Sequence, residues 1–196
     1  MPDLHEGKRV PNGVVVATEN LIYPELVGSD IGCGISAIGF HDTADRLRSS
    51  DLQELLKQLS CVVPTLKQPA TVADRLRATV EEIGPLSDER LENHAARDGR
   101  YQVGTIGRGN HFMELARASC GQLWAVVHTG SRAMGQHITA HHLSRIGQSA
   151  LNEGANYPSL DLRQPEGQAY FSDMQWACRY ATLSRQTILN ALADLL

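Results

Sequence analysis

The spacing of apolar residues predicts strands near the start of the chain and helices soon after. Residues 14–17 and 35–40 are short apolar runs of the length typical of strands. Leucines at steps of three and four predict a helix over residues 51–59. The same spacing predicts a helix over 71–83 and a weaker one over 87–97.

The second half of the chain is predicted to contain a strand, a helix, a loop and a second helix, in that order. Residues 123–127 predict a buried strand, 134–151 a helix, 152–165 a polar loop, and 166–196 one long amphipathic helix. The apolar stripe of the long helix comprises Phe171, Met174, Cys178, Ala181, Ile188, Leu192 and Leu195. Arg185 falls on that stripe, where a charge requires a partner or a ligand.

Composition narrows the class of protein without identifying it. The 196 residues fit one domain or part of a larger one, and the net charge of −4 argues against a large nonspecific nucleic-acid surface. No apolar run could span a bilayer, and no signal-peptide pattern opens the chain, so a cytoplasmic protein is expected. The four cysteines are too scattered for a disulfide framework and are expected to be thiols.

A glycine-rich turn at residues 28–34 carries the first candidate metal ligands. Asp30 and Cys33 are three residues apart, so a tight turn can direct a carboxylate and a thiolate at one point. Such a pair suits a borderline divalent metal. The alternative is a turn-capping aspartate beside a buried cysteine.

The second candidate is an imidazole that follows another glycine-rich loop. Asn110 and His111 are well placed there to bind a metal or a phosphate. Glu114 could orient the imidazole or bind metal itself. A loop histidine that bonds only to the backbone is an equally good interpretation.

The third candidate lies where the strand over 123–127 ends. That strand delivers His128 to its carboxyl end, where ligands often gather in α/β sheets. The following Gly130, Ser131 and Arg132 could hold an anion, with Arg132 as a bidentate fork. The alternative is an edge turn with a solvent-facing arginine.

The remaining histidines and cysteines receive a plainer interpretation. His137 and His141 share a helical face, but no glutamate follows His137, so the metalloprotease pattern fails. Both are predicted to lie at the surface, together with His41, His94 and His142. The other cysteines are interpreted as core or incidental thiols, namely Cys61, Cys120 and Cys178.

In this order, the motifs resemble the RtcB family of RNA-splicing ligases. They run as MPDLHEG at 1–7, DIGCG at 30–34, GNHFME at 109–114 and HTGSR at 128–132. The final helix is similar through Tyr170, Met174, Ala177, Tyr180 and Arg185. Each motif is short, but their shared order over nearly the whole chain is specific. The helical insertion and GQLW at 121–124 are most similar to the branch found beside release-factor homologues.

The resemblance implies an α+β fold with mixed sheets around a dinuclear metal site and helices outside. It implies a GTP-dependent ligase with two Mn(II) ions, which joins RNA 3′-phosphate or 2′,3′-cyclic phosphate ends to 5′-hydroxyl ends in RNA repair or tRNA splicing. A histidine is guanylylated, GMP moves to the RNA 3′-phosphate, and the 5′-hydroxyl displaces it. RNA and GTP are the implied partners, with a possible functional link to a release-factor homologue and none to a membrane.

The resemblance also assigns metal ligands. Cys33 would bridge both ions as a thiolate. Asp30 and His111 would bind one ion, and His128 the other. The mixed donor set alone would suggest zinc, so manganese comes only from the resemblance.

Further roles in nucleotide and phosphate binding follow from the resemblance. Asn110 would contact the GTP phosphates, with His111 and Glu114 in the same nucleotide-binding region. Arg132 would hold a phosphate, and it joins Asp30, Cys33 and Asn110 as a catalytic residue. The active site would also be lined by Asp3 and His5.

The sequence departs from the family pattern in several ways. Family members are about twice as long, and their guanylylated histidine, a further metal-binding histidine and the guanine-binding residues lie in a C-terminal half. The last histidine here is His142, Ala133 replaces a usual glycine, and Ser184 replaces a usual asparagine. Residues 1–196 are therefore expected to be a metal-binding N-terminal fragment that cannot be guanylylated alone.

Two other functions stay open at this point. The same ligands could serve a metal-dependent phosphoesterase with an activated water, which needs no nucleophilic histidine. The chain could also be a non-catalytic remnant that keeps the fold. GTP dependence and metal binding through Cys33 distinguish these alternatives.

Overall fold

Two small antiparallel sheets and a set of helices make up the computed structural model of this chain. The structure describes residues 6, 10, 11, 13–46, 48–146 and 157–196. The expectations for Asp3 and His5 fall outside these residues. Within the described part, no helix is long and apolar enough to cross a membrane. A mixed α and β fold agrees with the predicted class.

The elements in the first half are two strands and several helices. Strand β1 is Leu21–Ile22 and β2 is Gly34–Thr43. Helices α1 to α5 are Pro24–Val27, Ser49–Val62, Ala70–Glu81, Glu89–His94 and Arg100–Gln102. The last two are joined by a π-helical turn at Ala95–Gly99.

The second half supplies the rest of the main sheet and the longest helix. Strands β3, β4 and β5 are Phe112–Arg117, Gln122–Thr129 and Leu160–Asp161, and helices α6 and α7 are Ala133–Arg145 and Pro165–Ala193. The main sheet has the order β2-β4-β3, and β1 pairs with β5.

The main sheet is buried on one face only. Leu123, Ala125 and Val127 on β4 are buried, while the alternate residues of this strand are partly exposed. The prediction of a strand here is confirmed, and its burial is confined to one face. An antiparallel strand with one covered face shows this alternation.

Helix α7 joins two hydrophobic cores. Its first half packs into a core with Leu91 of α4 and Ile138 of α6. Its second half packs through Ile188 and Leu192 into a core with α2 and the covered face of β4. Arg185 lies between these two halves, beside the sheet.

Most predicted helices are confirmed, with changes at their ends. The helices over 51–59 and 71–83 correspond to α2 and α3. The one over 87–97 does not end there, because the π turn continues it to Gln102. Helix α6 is described to Arg145, and residues 147–156 of the predicted helix and loop lie outside the described residues.

Two predictions about strands are corrected. Residues 14–17 form no strand, and Val15 is 76% exposed. An apolar run forms a strand only where a partner strand and a packing surface are present. Conversely, β3 was not predicted, although Phe112 and Glu114 are exposed and alternate with the less exposed Met113 and Leu115.

The buried stripe of α7 differs from the predicted one in its first half. Phe171 and Cys178 are exposed, whereas Tyr170, Trp176 and Tyr180 are buried. The buried rings are larger, and Tyr180 and Trp176 each donate a hydrogen bond to a backbone carbonyl. From Ala181 onward the predicted stripe is confirmed at Ala181, Arg185, Ile188 and Leu192.

The surface prediction for His142 is wrong. Its side chain is 6% exposed, and Nε2 lies 2.7 Å from Oδ2 of the fully buried Asp173. The hydroxyl of Ser87 donates to the same carboxylate oxygen at 2.6 Å. Cys61, Cys120 and Cys178 are exposed free thiols, which excludes the core alternative for them.

Candidate metal centre

Three chain segments converge at one end of the main sheet. The turn with Asp30 and Cys33 leads directly into β2, His111 immediately precedes β3, and His128 lies near the end of β4. In the register of the sheet, His128 is opposite Phe112 on one side and Ile35 on the other. The fold therefore brings together side chains that are up to 98 positions apart, since 128 − 30 = 98.

The four predicted ligands form one connected group. Nε2 of His111 lies 2.7 Å from Oδ2 of Asp30. The sulfur of Cys33 lies 3.6 Å from Nε2 of His111 and 3.5 Å from Nε2 of His128. The donor atoms of Asp30, Cys33 and His111 are all within 4.8 Å of one another.

This donor set fits a divalent metal centre. Thiolate, imidazole and carboxylate are the donors that borderline divalent ions accept. The sulfur of Cys33 contacts both imidazoles, and His128 approaches the group through that sulfur. Asp30 and His111 contact each other, and their donor atoms both lie within 4.8 Å of the sulfur.

The turn is held in place by its contact with α7. Ile31 is 1% exposed and anchors the turn in the core. Gly32 has a φ of 72°, and a Cβ at this position would lie 2.9 Å from the Cα of Cys178. Glycine is therefore needed here both for the backbone conformation and for the close approach of the helix.

The charge of Arg185 on the apolar stripe is satisfied by two carbonyl oxygens and a hydroxyl. Its Nη1 donates to the carbonyl oxygens of Gly32 and Thr129, each at 2.8 Å, and its Nε donates to the hydroxyl of Ser36 at 3.0 Å. Burial lowers the pKa of Arg185, and the nearby Cys33 opposes that shift. The guanidinium therefore satisfies backbone groups beside two ligands.

The second ring nitrogen of His111 faces a buried hydroxyl. Thr129 is fully buried, and its Oγ1 lies 3.3 Å from Nδ1 of His111. The same hydroxyl donates to the carbonyl oxygen of Ile106 at 3.0 Å. Because its hydrogen is used there, Oγ1 can accept from Nδ1–H, and in that tautomer Nε2 would bind a metal in place of its 2.7 Å contact with Asp30.

Arg132 lies behind His111 rather than in open solvent. Its Nε donates to Oγ1 of Thr105 at 3.3 Å, and its Nη1 is 3.5 Å from Nδ1 of His111. Burial lowers its pKa. Its φ of 58° is the only positive one at a non-glycine position among the described residues, and backbone strain of this kind is concentrated at functional sites.

The surroundings of Cys33 disfavour its thiolate form. Burial, followed by the hydrogen bond and charge of Asp30, raises its pKa to about 12. A thiolate ligand therefore has to be generated when a metal binds, with release of the proton.

The other predicted site residues lie around the four ligands. Nδ2 of Asn110 is 3.5 Å from Nε2 of His128. Glu114 is exposed on the face of the sheet that carries His128, two residues further along β3 than Phe112. Ser131 is fully buried, and its Oγ has no hydrogen-bond partner among the described residues.

Two residues of the site were not singled out from the sequence. Thr129 acts on His111 from the covered face of the sheet, and the ring of Phe112 stacks on that of His128 at 5.5 Å. Both belong to the quoted motifs. Thr129 follows His128, and Phe112 follows His111, so in an extended strand each lies on the opposite face from that histidine. This alternation could have indicated both residues from the sequence.

Comparisons with known proteins find similarity over nearly the whole chain. The model of the RtcB family, described as tRNA-splicing ligase RtcB, matches residues 1–196. The RNA-splicing ligase RtcB of Escherichia coli K12 is 29% identical over 97% of this chain and 51% of its own length. The tRNA-splicing ligase RtcB of Thermococcus kodakarensis is 29% identical over 97% and 50%, respectively. The chain thus spans about half the length of the curated relatives it matches.

Proposed function

This chain belongs to the RtcB family, and on that premise we propose that it forms the metal- and phosphate-binding half of an RNA ligase. The reaction joins an RNA 3′-phosphate or 2′,3′-cyclic phosphate end to a 5′-hydroxyl end, with GTP and Mn(II). RNA repair and tRNA splicing are the processes it would serve.

The position of Cys33 between His111 and His128 carries this proposal. The sulfur is 3.6 Å from one imidazole nitrogen and 3.5 Å from the other, and Asp30 contacts the first imidazole. A dinuclear centre needs one ligand that faces two ions and separate ligands on each side of it. Cys33 supplies the first requirement, and the carboxylate and the two imidazoles supply the second.

The remaining roles concern charge and orientation. Two divalent ions would neutralise phosphate charge and hold reacting oxygens in line. Asn110, exposed beside His128, is suited to donate to a nucleotide phosphate. Arg132 adds positive charge directly behind His111. We assign Glu114 to the outer part of the same phosphate region.

We further propose that the 196-residue chain binds Mn(II) but is not guanylylated by itself. The family's nucleophilic histidine has no counterpart here, because the histidines outside the centre lie in other motifs. His142, the last of them, is engaged with buried Asp173. We therefore assign none of the histidines in residues 1–196 to the covalent step.

A metal-dependent phosphoesterase is the second candidate. The centre contains candidate metal ligands, and Arg132 supplies a positive charge nearby. A bound water could serve as nucleophile, so no covalent histidine is required. This candidate predicts hydrolysis of a 2′,3′-cyclic phosphate without GTP. A remnant with no chemistry predicts neither metal binding through Cys33 nor hydrolysis.

Three assays on the wild-type chain and Cys33→Ala test these proposals. Binding of Mn(II) should be strong in the wild-type chain and lost in Cys33→Ala, while Cys61→Ala, at an exposed thiol, should match the wild type. Incubation with labelled GTP and Mn(II) should give no labelled band on a denaturing gel. Hydrolysis of a labelled 2′,3′-cyclic phosphate RNA without GTP should also be absent.

Each assay has a contrary result. Equal Mn(II) binding by wild type and Cys33→Ala overturns the metal centre and favours a remnant. A covalently labelled band refutes the absence of the nucleophile. Hydrolysis that depends on Cys33 but not on GTP replaces the ligase by the phosphoesterase. Ligation of the RNA ends after the chain is combined with the C-terminal half of a relative would support the ligase directly.

A further inference from the structure

A second group of metal-binding side chains lies away from the candidate centre. His94 is the last residue of α4, Asp98 lies in the π turn, and His137 is on α6. Their donor atoms all lie within 4.8 Å of one another. No sequence pattern connects His94 with His137, because the two residues are far apart along the chain.

The group is well defined by contacts between its members. The rings of His94 and His137 are stacked, with centroids 3.7 Å apart and an angle of 15° between planes. Nδ1 of His94 lies 3.8 Å from Oδ2 of Asp98. All three residues are partly buried, so the donors are partly desolvated yet reachable from solvent.

We propose that His94, Asp98 and His137 bind a divalent cation of the zinc class, with solvent in the remaining position. Two imidazoles and one carboxylate are the protein ligands of many open zinc sites. Tetrahedral bonds of the usual length place donors roughly 3.4 Å apart, and each imidazole lone pair lies in its ring plane, so the stacked rings of His94 and His137 must turn out of their parallel arrangement to share one ion. The set lacks the several oxygen donors preferred by Mg²⁺ and Ca²⁺.

The charges around the group allow a cation to enter. Arg97 forms an ion pair with Asp98 at 2.8 Å, and its side chain is 72% exposed. It can therefore turn into solvent when a metal takes its place. Burial and the neighbouring His94 lower the pKa of His137.

A metal ion bound by this group would also affect the stability of the fold. Helices α4 and α6 pack together, and the π turn lies against α6. A π turn inside a helical segment is frequent at functional sites and here carries Asp98. A bound ion would link these three elements and resist their separation on unfolding.

The test removes the candidate metal centre around Cys33, so that zinc bound at the second group can be measured alone. Cys33→Ala is the background, and zinc binding is measured by equilibrium dialysis with metal analysis. His137→Gln and His94→Gln are added separately to this background. His41→Gln is the matched control, because His41 is an exposed histidine on β2 outside the group.

The background chain should bind one zinc ion per molecule at the second site. His137→Gln and His94→Gln should each weaken that binding at least tenfold, while His41→Gln should leave it unchanged. His137→Cys keeps a donor and should retain binding. With Co(II) as the probe, that variant should gain a sulfur-to-cobalt charge-transfer absorption.

The variants together decide the proposal even if one of them folds poorly. The same zinc affinity in the background chain and in a folded His137→Gln or His94→Gln variant overturns the site. So does a background chain that binds no zinc. Absence of the charge-transfer absorption in a folded His137→Cys variant would likewise exclude His137 as a ligand.

Discussion

The guanidinium of Arg185 donates from Nη1 to the carbonyl oxygen of Gly32 at 2.8 Å, one residue before Cys33. The same nitrogen donates at 2.8 Å to the carbonyl oxygen of Thr129, one residue after His128. One buried side chain on α7 therefore fixes the two segments that carry these ligands.

Replacement of Arg185 by leucine should destabilise the fold and loosen the centre. Leucine suits the apolar stripe, but two buried carbonyls would lose a charged donor, at a cost of about 2–3 kcal/mol. The midpoint of urea unfolding should fall, and Mn(II) affinity should fall with it. Arg179→Leu, at an exposed position of the same helix, serves as the control. An unchanged midpoint and affinity in Arg185→Leu would show that the hydrogen bonds of Arg185 to Gly32 and Thr129 do not stabilise the centre.

Thr129→Val should weaken metal binding with little change in shape. Valine is similar in size, but it removes the hydroxyl that links Nδ1 of His111 to the Ile106 carbonyl. Loss of such an orienting partner typically lowers metal affinity about 10- to 100-fold. Calorimetric titration with Mn(II) measures the change.

Two further variants check that the hydroxyl of Thr129 is responsible. Thr129→Ser keeps the hydroxyl and should recover most of the affinity. Thr187→Val removes a hydroxyl that bonds only within α7 and should bind Mn(II) like the wild type. Equal affinities for Thr129→Val and Thr129→Ser would exclude the proposed orientation of His111.

The sequence predicted the candidate ligands better than the residues that hold them in position. Asp30, Cys33, His111 and His128 were recognisable because each lies in a motif whose order matches one family. Whether they meet depends on the register of β2, β3 and β4, which no local pattern specifies. The contacts of Arg185 and Thr129 depend on the packing of α7 against the sheet. From the sequence, Arg185 was therefore an unexplained charge, and Thr129 was not singled out.

The errors in the predicted fold have a related physical origin. The apolar residues 14–17 have high strand propensity, but they pair with no strand among the described residues and are exposed. The buried face of α7 changes between its halves because two different cores meet it. Single-residue spacing cannot reveal which neighbour covers each half. His142 was assigned to the surface for the same reason, since its partner Asp173 lies on a different helix.

Gly130→Ala should displace Asp30 from the centre. A Cβ at Gly130 would overlap the carboxylate of Asp30, which contacts His111. Because a carboxylate can rotate, the fold should lose only about 1–3 kcal/mol, as is usual for overpacking. Mn(II) affinity should fall at least tenfold. Gly34→Ala is the matched control, because its Cβ would meet nothing closer than 3.8 Å. Equal affinities in the two variants would contradict the predicted role of Asp30.

The number of bound ions separates the bridging ligand from the others. If Cys33 serves two ions, Cys33→Ala should lose both, while His111→Ala and His128→Ala should each keep one, since the sulfur lies near both imidazoles. Electron paramagnetic resonance of free Mn(II) counts bound ions at saturating metal, and coupling between paired ions should disappear in each histidine variant. Cys120→Ala, at an exposed thiol, should bind as many ions as wild type. Loss of both ions in either histidine variant would mean a mononuclear or strongly cooperative site. With His137→Gln added to remove the second site, retention of one ion in Cys33→Ala would exclude the bridge.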